Sequence, residues 1–244
     1  MKPAEKNFDV PGYAGFRERA TDPTLTPNEK SGFPEQLRAG QSGAIFADIG
    51  AKLPALAMPG ARILDIGCGC SDLTRHIIDS CGRLGQSLTV IDSAEVLRQL
   101  PDLPYVAKVE GPFPSRHPGP FDAVLAYSVA QYVFAEGNLV PFVDAAAGLL
   151  GPGGGFLIGD IPNWTMRKRF LNSAAGAAHH RQHYPGRPMP DLSADAPGGA
   201  EIDDGTVMEV LARMRRSGFH AFILPQAAGL PMANRREDIL IVRP

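Results

Sequence analysis

Residues 62–76 read RILDIGCGCSDLTRH, and this stretch restricts the fold more than any other part of the chain. A short apolar run, Arg62–Ile66, carries an acid near its end at Asp65. Gly67 and Gly69 follow at once, and a helix-like pattern starts near Asp72. A buried strand, a tight glycine turn and a helix start make a cradle for a polar cofactor. Glycine permits the backbone conformations and the close approach, and the first turn of a helix leaves N–H groups free to donate.

The rest of the chain bounds the class of protein. At 244 residues the expectation is one large α/β domain, or one domain with an insertion. A net charge of −2 gives no polyelectrolyte signal, so nucleic acid and membrane surfaces are not expected partners. No run of about 18 apolar residues occurs, and the first residues, MKPAEKNFDVPGYAG, lack an apolar signal core. The three cysteines, Cys68, Cys70 and Cys81, form no CxxC and no zinc spacing. They read as small reduced core residues, which points to a cytoplasmic setting, and no metal site is expected.

In chain order, residues 1–32 read as an irregular arm with a short helix around Phe16–Ala20. Phe8, Tyr13, Phe16 and Phe33 suggest that part of it packs, as a lid over the cofactor or as surface decoration. A helical pattern runs from Phe33 to Leu56 with Leu37, Ile45, Ile49, Leu53 and Leu56 on one face. The division is therefore an N-terminal arm and helix over 1–58 and a main domain over 59–244, with an insertion at 163–200. Strands are expected at Ala61–Ile66, Ser87–Ile91, Tyr105–Val109, Phe121–Ala126 and Phe156–Gly159. Helices are expected at Leu73–Cys81, Ala94–Leu100 and Leu139–Leu150, the last stopped by GPGGG. This alternation predicts a doubly wound, mostly parallel sheet covered on both faces. Thr206–Arg216 reads as an amphipathic helix. Phe219–Leu224 and Asp238–Val242 follow with no helix between them, an antiparallel pair at the sheet edge.

At these residues the chain resembles the class I S-adenosylmethionine-dependent methyltransferases. Asp65-Ile66-Gly67-Cys68-Gly69-Cys70 is similar to the family's first motif, and Asp92 falls where the family places its ribose-binding acid. Phe121–Leu125 is similar to the family's fourth-strand segment, and LLGPGGGF at 149–156 resembles its segment leading into strand five. The resemblance implies a seven-stranded Rossmann-like α/β sheet with a C-terminal antiparallel hairpin, S-adenosyl-L-methionine as cofactor, and methyl transfer as the activity. Ser71 stands where the family often has a third glycine.

The residues suit that cofactor chemically. Asp65 offers a charge to its ammonium. Asp92, acceptor-only when ionised, suits two ribose hydroxyls. Ser93 is small enough to lie beside adenine, and Pro112 and Phe113 offer it an apolar wall. Cys68 contributes backbone, and Tyr127 and Gln131 border the sulfonium. A dinucleotide reading is weaker, because the third glycine of GxGxxG would be Asp72, which obstructs helix–strand packing and repels a pyrophosphate. An inert cofactor-binding or scaffold protein on the same fold is the other alternative.

The acceptor is read from the segments outside the cofactor half. Asp160 and Asn163 leave strand five at the carboxyl edge of the sheet. His179, His180 and His183 cluster in the insertion, and His183, with Asp160, is a candidate for general-base work in an O-methylation. Arg167, Lys168, Arg169, Arg181 and Arg187 make the insertion basic, joined by Arg235 and Arg236. Asn163, Arg167, His180 and Arg235 are therefore candidates for binding a small anionic acceptor: a sugar phosphate, a nucleotide sugar or a carboxylate. Strand four is followed by Ala126-Tyr127-Ser128-Val129, unlike the Asn-Pro-Pro-Tyr motif of amino-methylating nucleic-acid enzymes.

Overall fold

A computed structural model describes residues 12–114, 119–192 and 201–244. Phe8 and residues 193–200 of the expected insertion lie outside the described residues. Seven strands form one sheet: β1 (Arg62–Ile66), β2 (Ser87–Asp92), β3 (Val106–Glu110), β4 (Phe121–Tyr127), β5 (Leu150–Pro162), β6 (His220–Pro225) and β7 (Arg236–Val242). Their order is β3-β2-β1-β4-β5-β7-β6. The first five pair in parallel, and β7 runs antiparallel to both β5 and β6. The chain reverses direction across the sheet between β1 and β4. The loops leaving their carboxyl ends therefore diverge and open a crevice.

Side chains alternate across the sheet as the pleat requires. Ala123, Leu125 and Tyr127 of β4 face one core, and Val124 and Ala126 face the other. The first core is closed by α4 (Ser42–Lys52) and α5 (Asp72–Leu84), through Ile45, Ile49, Ile77 and Ile78. The second is closed by α8 (Leu139–Gly148) and α11 (Asp204–Arg216), through Phe142, Val143, Leu211 and Met214. Each fully buried aliphatic side chain contributes about 1.5–3 kcal/mol. Ala20, from α1 (Tyr13–Thr21), belongs to the first core, so the N-terminal segment packs on the main sheet.

Several element boundaries differ from the sequence expectation, each for a local reason. The helical run from Phe33 breaks at Gly40, which takes φ 71°, into α3 (Glu35–Arg38) and α4, followed by a 3-10 turn at Pro54–Ala57. Before them, α2 (Pro27–Lys30) is started by a capping box between Thr26 and Glu29. The helix α5 passes through Gly82 and ends at Gly85, whose left-handed conformation closes it. GPGGG does not end at a helix stop but is absorbed into β5, where the register on β4 jumps between Phe121 and Ala123. The short α6 (Ala94–Leu97) and α7 (Ala130–Ala135) follow β2 and β4. The basic first half of the insertion forms α9 (Trp164–Leu171) and α10 (Ala174–His183).

Candidate functional site

At the carboxyl ends of β1, β2 and β4 a cavity opens, roofed by residues of α1, α2 and α3. Its floor is the glycine turn. Gly67 and Gly69 both hold positive φ, 69° and 63°. A methyl on Gly67 would come within 2.8 Å of Val129 Cγ2, and one on Gly69 within 2.8 Å of Ser31 Oγ. Both space and backbone conformation therefore demand glycine here. Thr74, on the first turns of α5, fixes the turn from below by donating its hydroxyl to the Cys68 carbonyl at 2.5 Å.

Two carboxylates stand beside the turn. The Asp92 oxygens each accept one backbone N–H, from Gly69 at 2.9 Å and from Ser93 at 2.7 Å. That clamp holds the carboxylate in one orientation and leaves lone pairs for hydroxyl donors. Burial pushes Asp92 above the usual carboxylate range, against the two N–H bonds that lower it. Asp65 is fully buried, and burial with the nearby Asp92 charge lifts it to about 7. A cation in the cavity would relieve both. Burial also pushes the Cys68 thiol up, so it is no nucleophile at neutral pH.

The roof is tied down from its own residues. Arg17 on α1 makes a two-pronged bond to Glu95 on α6, at 2.8 and 3.0 Å, and holds the Glu95 carboxyl down at about 2. Lys30 donates to Gln99 at 3.1 Å, and the backbone N–H of Tyr13 to Glu136 at 3.3 Å. Phe16 meets Tyr132 edge to face, with ring centroids 4.6 Å apart.

The β4 end of the cavity carries a charged network. Ser128 and Asp160 leave neighbouring strands with φ 62° and 61°, a region that side chains other than glycine rarely adopt. The Ser128 hydroxyl donates to Asp160 Oδ2 at 2.5 Å. Arg38, reaching down from α3, donates from Nη2 to that same oxygen and to Ser128 Oγ. Arg236 bonds the Asp160 carbonyl at 2.9 Å and lies 3.0 Å from its carboxylate. Behind them Asp238 accepts from the Asp160 backbone at 2.8 Å and from Lys52 at 2.7 Å. Such strained residues persist only where their surroundings over-determine them.

Of the residues singled out in the sequence, Asp65, Gly67, Cys68, Gly69, Asp92, Pro112, Phe113 and Tyr127 line this cavity together. Ser93 sits one step behind, capping α6 and bonding Asp92. Gln131 donates to the Ser128 carbonyl at 2.9 Å. Asp160 reaches the cavity through Ser128 and Arg38. The remaining candidates stand elsewhere. Asn163 caps α9 and bonds Asp204 and Glu237. Arg167 lies over the Trp164 ring, 5.2 Å from its centroid. Arg235 is held below its ordinary value by burial. His180 is buried and bonds the carbonyls of Arg187 and Pro188. His183 is exposed and stacks on His179 with centroids 4.0 Å apart. None of these five is among the cavity-lining residues. Ser31, Arg38 and Tyr132 line it without having been singled out; only the aromatic content of the arm hinted at a roof.

No protein-family model matches the chain. Among curated proteins, it is 32% identical over 108 residues to the ubiquinone biosynthesis O-methyltransferase of Xanthomonas campestris pv. campestris (strain B100), covering 41% of this chain and 42% of that one. It is 30% identical over 137 residues to the protein of the same description from Xylella fastidiosa (strain 9a5c), covering half of each. The chain thus spans half or less of the length of these relatives. Among solved structures it resembles the N-methyltransferase NodS from Bradyrhizobium japonicum WM9 in complex with S-adenosyl-L-homocysteine. There the TM-score is 0.57 at 13% identity, over 95% of this chain and 98% of that one. It also resembles the plantazolicin methyltransferase BpumL in complex with the same ligand, with TM-score 0.58 at 15% identity over 94% and 95%. At these identities the likeness is one of fold. Among the described residues no helix is long and apolar enough to cross a membrane.

Proposed function

We propose that this chain, which has the class I S-adenosylmethionine-dependent methyltransferase fold, transfers a methyl group from S-adenosylmethionine to an oxygen of a small anionic acceptor. The observation that carries the cofactor reading is the Asp92 clamp beside a glycine turn that has no room for a Cβ. The curated relatives, named as O-methyltransferases, support transfer to oxygen.

When bound, S-adenosylmethionine supplies a sulfonium methyl that a nucleophile displaces in line. The protein's part is to bind, orient and exclude water. Asp92 takes the two ribose hydroxyls, its carboxylate already held by Gly69 and Ser93. Asp65 draws the ammonium, and its burial makes that cation the more welcome. Phe113 and Pro112 give the adenine an apolar wall, and Tyr127 borders the sulfonium. The roof from α1 to α3 keeps water from the reacting atoms, which gives this part of the arm the role of a lid. Asp160 is a positioning residue: it fixes Ser128 and Arg38 at the exit of β4, where the acceptor enters. His183, exposed and stacked on His179, does not line the cavity and takes no part in the transfer.

The test is methyl transfer from radiolabelled S-adenosylmethionine over a panel of aromatic acids, phenols, sugar phosphates and nucleotide sugars. Label appearing in an acid-stable ether or ester of one acceptor is the expected result. Tight cofactor binding with no transfer to any class would favour the inert binding protein instead.

A further inference from the structure

The roof brings one more side chain to the cofactor, an inference that rests on the methyltransferase reading above. In α1, Tyr13, Phe16, Arg17 and Ala20 are spaced so that they share one face of the helix. Three of them meet the body of the protein. Phe16 rests edge to face on Tyr132, Arg17 grips Glu95 with two donors, and Ala20 is buried in the first core. The fourth, Tyr13, lines the cavity together with Asp92.

The place of Tyr13 along the cavity follows from its neighbours. Its backbone N–H is tied to Glu136, which caps the end of α7. Burial pushes its hydroxyl above the ordinary value. The Asp92 charge adds to that, Arg17 opposes it, and Glu95 and Glu110 push the same way as Asp92. Asp92 and Glu110 are partners across the β2–β3 pairing, and Glu95 lies in the first turn of the helix after Asp92. These three acids stand at the ribose end of the cofactor site. A phenol beside them keeps its proton at neutral pH and is a donor, whereas the ionised Asp92 only accepts. The two therefore offer a sugar opposite halves of a hydrogen bond, and the flat ring covers its C–H face.

We infer that Tyr13 is a cofactor-binding residue: its ring closes from the roof over the ribose that Asp92 holds, and its hydroxyl donates to a ribose oxygen. The same helix carries Phe16 to Tyr132, so the grip on the nucleoside and part of the cavity wall form on one element. Arg17 anchors that helix to α6 from outside the cavity and makes no contact with the ligand.

The experiment uses the full chain and isothermal titration with two probes. One is S-adenosylhomocysteine. The other is 5′-deoxy-5′-methylthioadenosine, which has the adenine and ribose and lacks the amino-acid tail. Tyr13→Ala should weaken both by tenfold or more and by similar factors. Tyr13→Phe keeps the ring and should lose about twofold to fivefold, the share of one hydrogen bond. Arg17→Gln removes the anchor alone and should weaken S-adenosylhomocysteine by less than threefold, which separates contact with the ligand from support of the helix. If Tyr13→Ala does not fold, Tyr13→Leu serves in its place: it keeps apolar bulk, loses the flat ring and the hydroxyl, and should weaken both probes by fivefold or more. Affinities within twofold of wild type in Tyr13→Ala or Tyr13→Leu would overturn the inference. So would no loss in Tyr13→Phe, a loss seen with S-adenosylhomocysteine and not with the nucleoside, no binding of the nucleoside to the wild type, or an equal loss in Arg17→Gln. Failure of S-adenosylhomocysteine to bind the wild type would be seen first, and would remove the methyltransferase reading and this inference together.

Discussion

Asp65 and Asp92 end neighbouring parallel strands, β1 and β2, and the charge on Asp92 adds to burial in lifting Asp65 to about 7. Two acids are thus held close in a low-dielectric cleft, and among the described residues no basic side chain bonds either. The free protein is poorer for this arrangement, and a cationic ligand gains from it.

A pH dependence follows from that pair. An unfolded aspartate titrates near 3.9, while folded Asp65 keeps its proton up to about 7. Between those values the folded chain binds the extra proton, so Asp65 makes stability fall as pH rises through the window and level off above it. Thermal denaturation of the free protein should show that slope, and Asp65→Asn should flatten it. Binding a cationic cofactor favours the ionised form. Calorimetry near pH 7 in buffers of different ionisation enthalpy should therefore detect proton release in the wild type and not in Asp65→Asn. Proton uptake, or no buffer dependence, would contradict the assignment of Asp65.

Gly159 tests the packing behind Tyr127. A methyl at Gly159 would overlap Tyr127 Cδ2 and lie 2.7 Å from Cε2, because the ring lies directly on the glycine of the adjacent strand. Gly159→Ala should cost about 1–3 kcal/mol, a drop in Tm of roughly 2–12 °C for a chain of this size. An unchanged Tm would mean that the ring is free to move away.

Lys52 tests the support beneath the acceptor end. It is the cation between Asp48 and the fully buried Asp238, which burial raises above the usual carboxylate range. Lys52→Met should destabilise by about 3–5 kcal/mol, the cost of leaving a buried charge without its partner. The loss should grow as pH rises and Asp238 ionises, and adding Asp238→Asn should recover part of it. Chemical denaturation at pH 5 and pH 8 measures all three.

Much of this was legible in the sequence because backbone needs are written locally. Gly67, Gly69 and the acids at Asp65 and Asp92 sit at strand ends, and apolar runs with glycine stops give strands and helices their order. The antiparallel end of the sheet could be read from the missing helix between Phe219–Leu224 and Asp238–Val242. What the sequence hid depends on contacts between distant segments. Arg38 meets Asp160 across 122 positions, and nothing in the local pattern at Glu35–Arg38 marks it as a cavity residue. The histidine and arginine cluster of the insertion looked functional for the opposite reason. Its residues are neighbours in sequence, but His180 bonds carbonyls, His179 and His183 stack on each other, Arg167 lies over Trp164 and Arg169 pairs with Asp204. The helix expected to end at Cys81 runs on through Gly82, because a lone glycine looks the same in sequence whether it ends a helix or makes room; in α5 it makes room, with the Tyr105 hydroxyl 2.5 Å from where its Cβ would be.

The account turns on whether the Asp92 clamp holds a ribose. Isothermal titration of the full chain with S-adenosylhomocysteine, in the wild type and in Asp92→Ala, tests that most directly. One molecule bound per wild-type chain, with affinity lost by tenfold or more in a variant whose circular dichroism is unchanged, is the predicted result. No binding to the wild type, or equal affinity in Asp92→Ala, would contradict it.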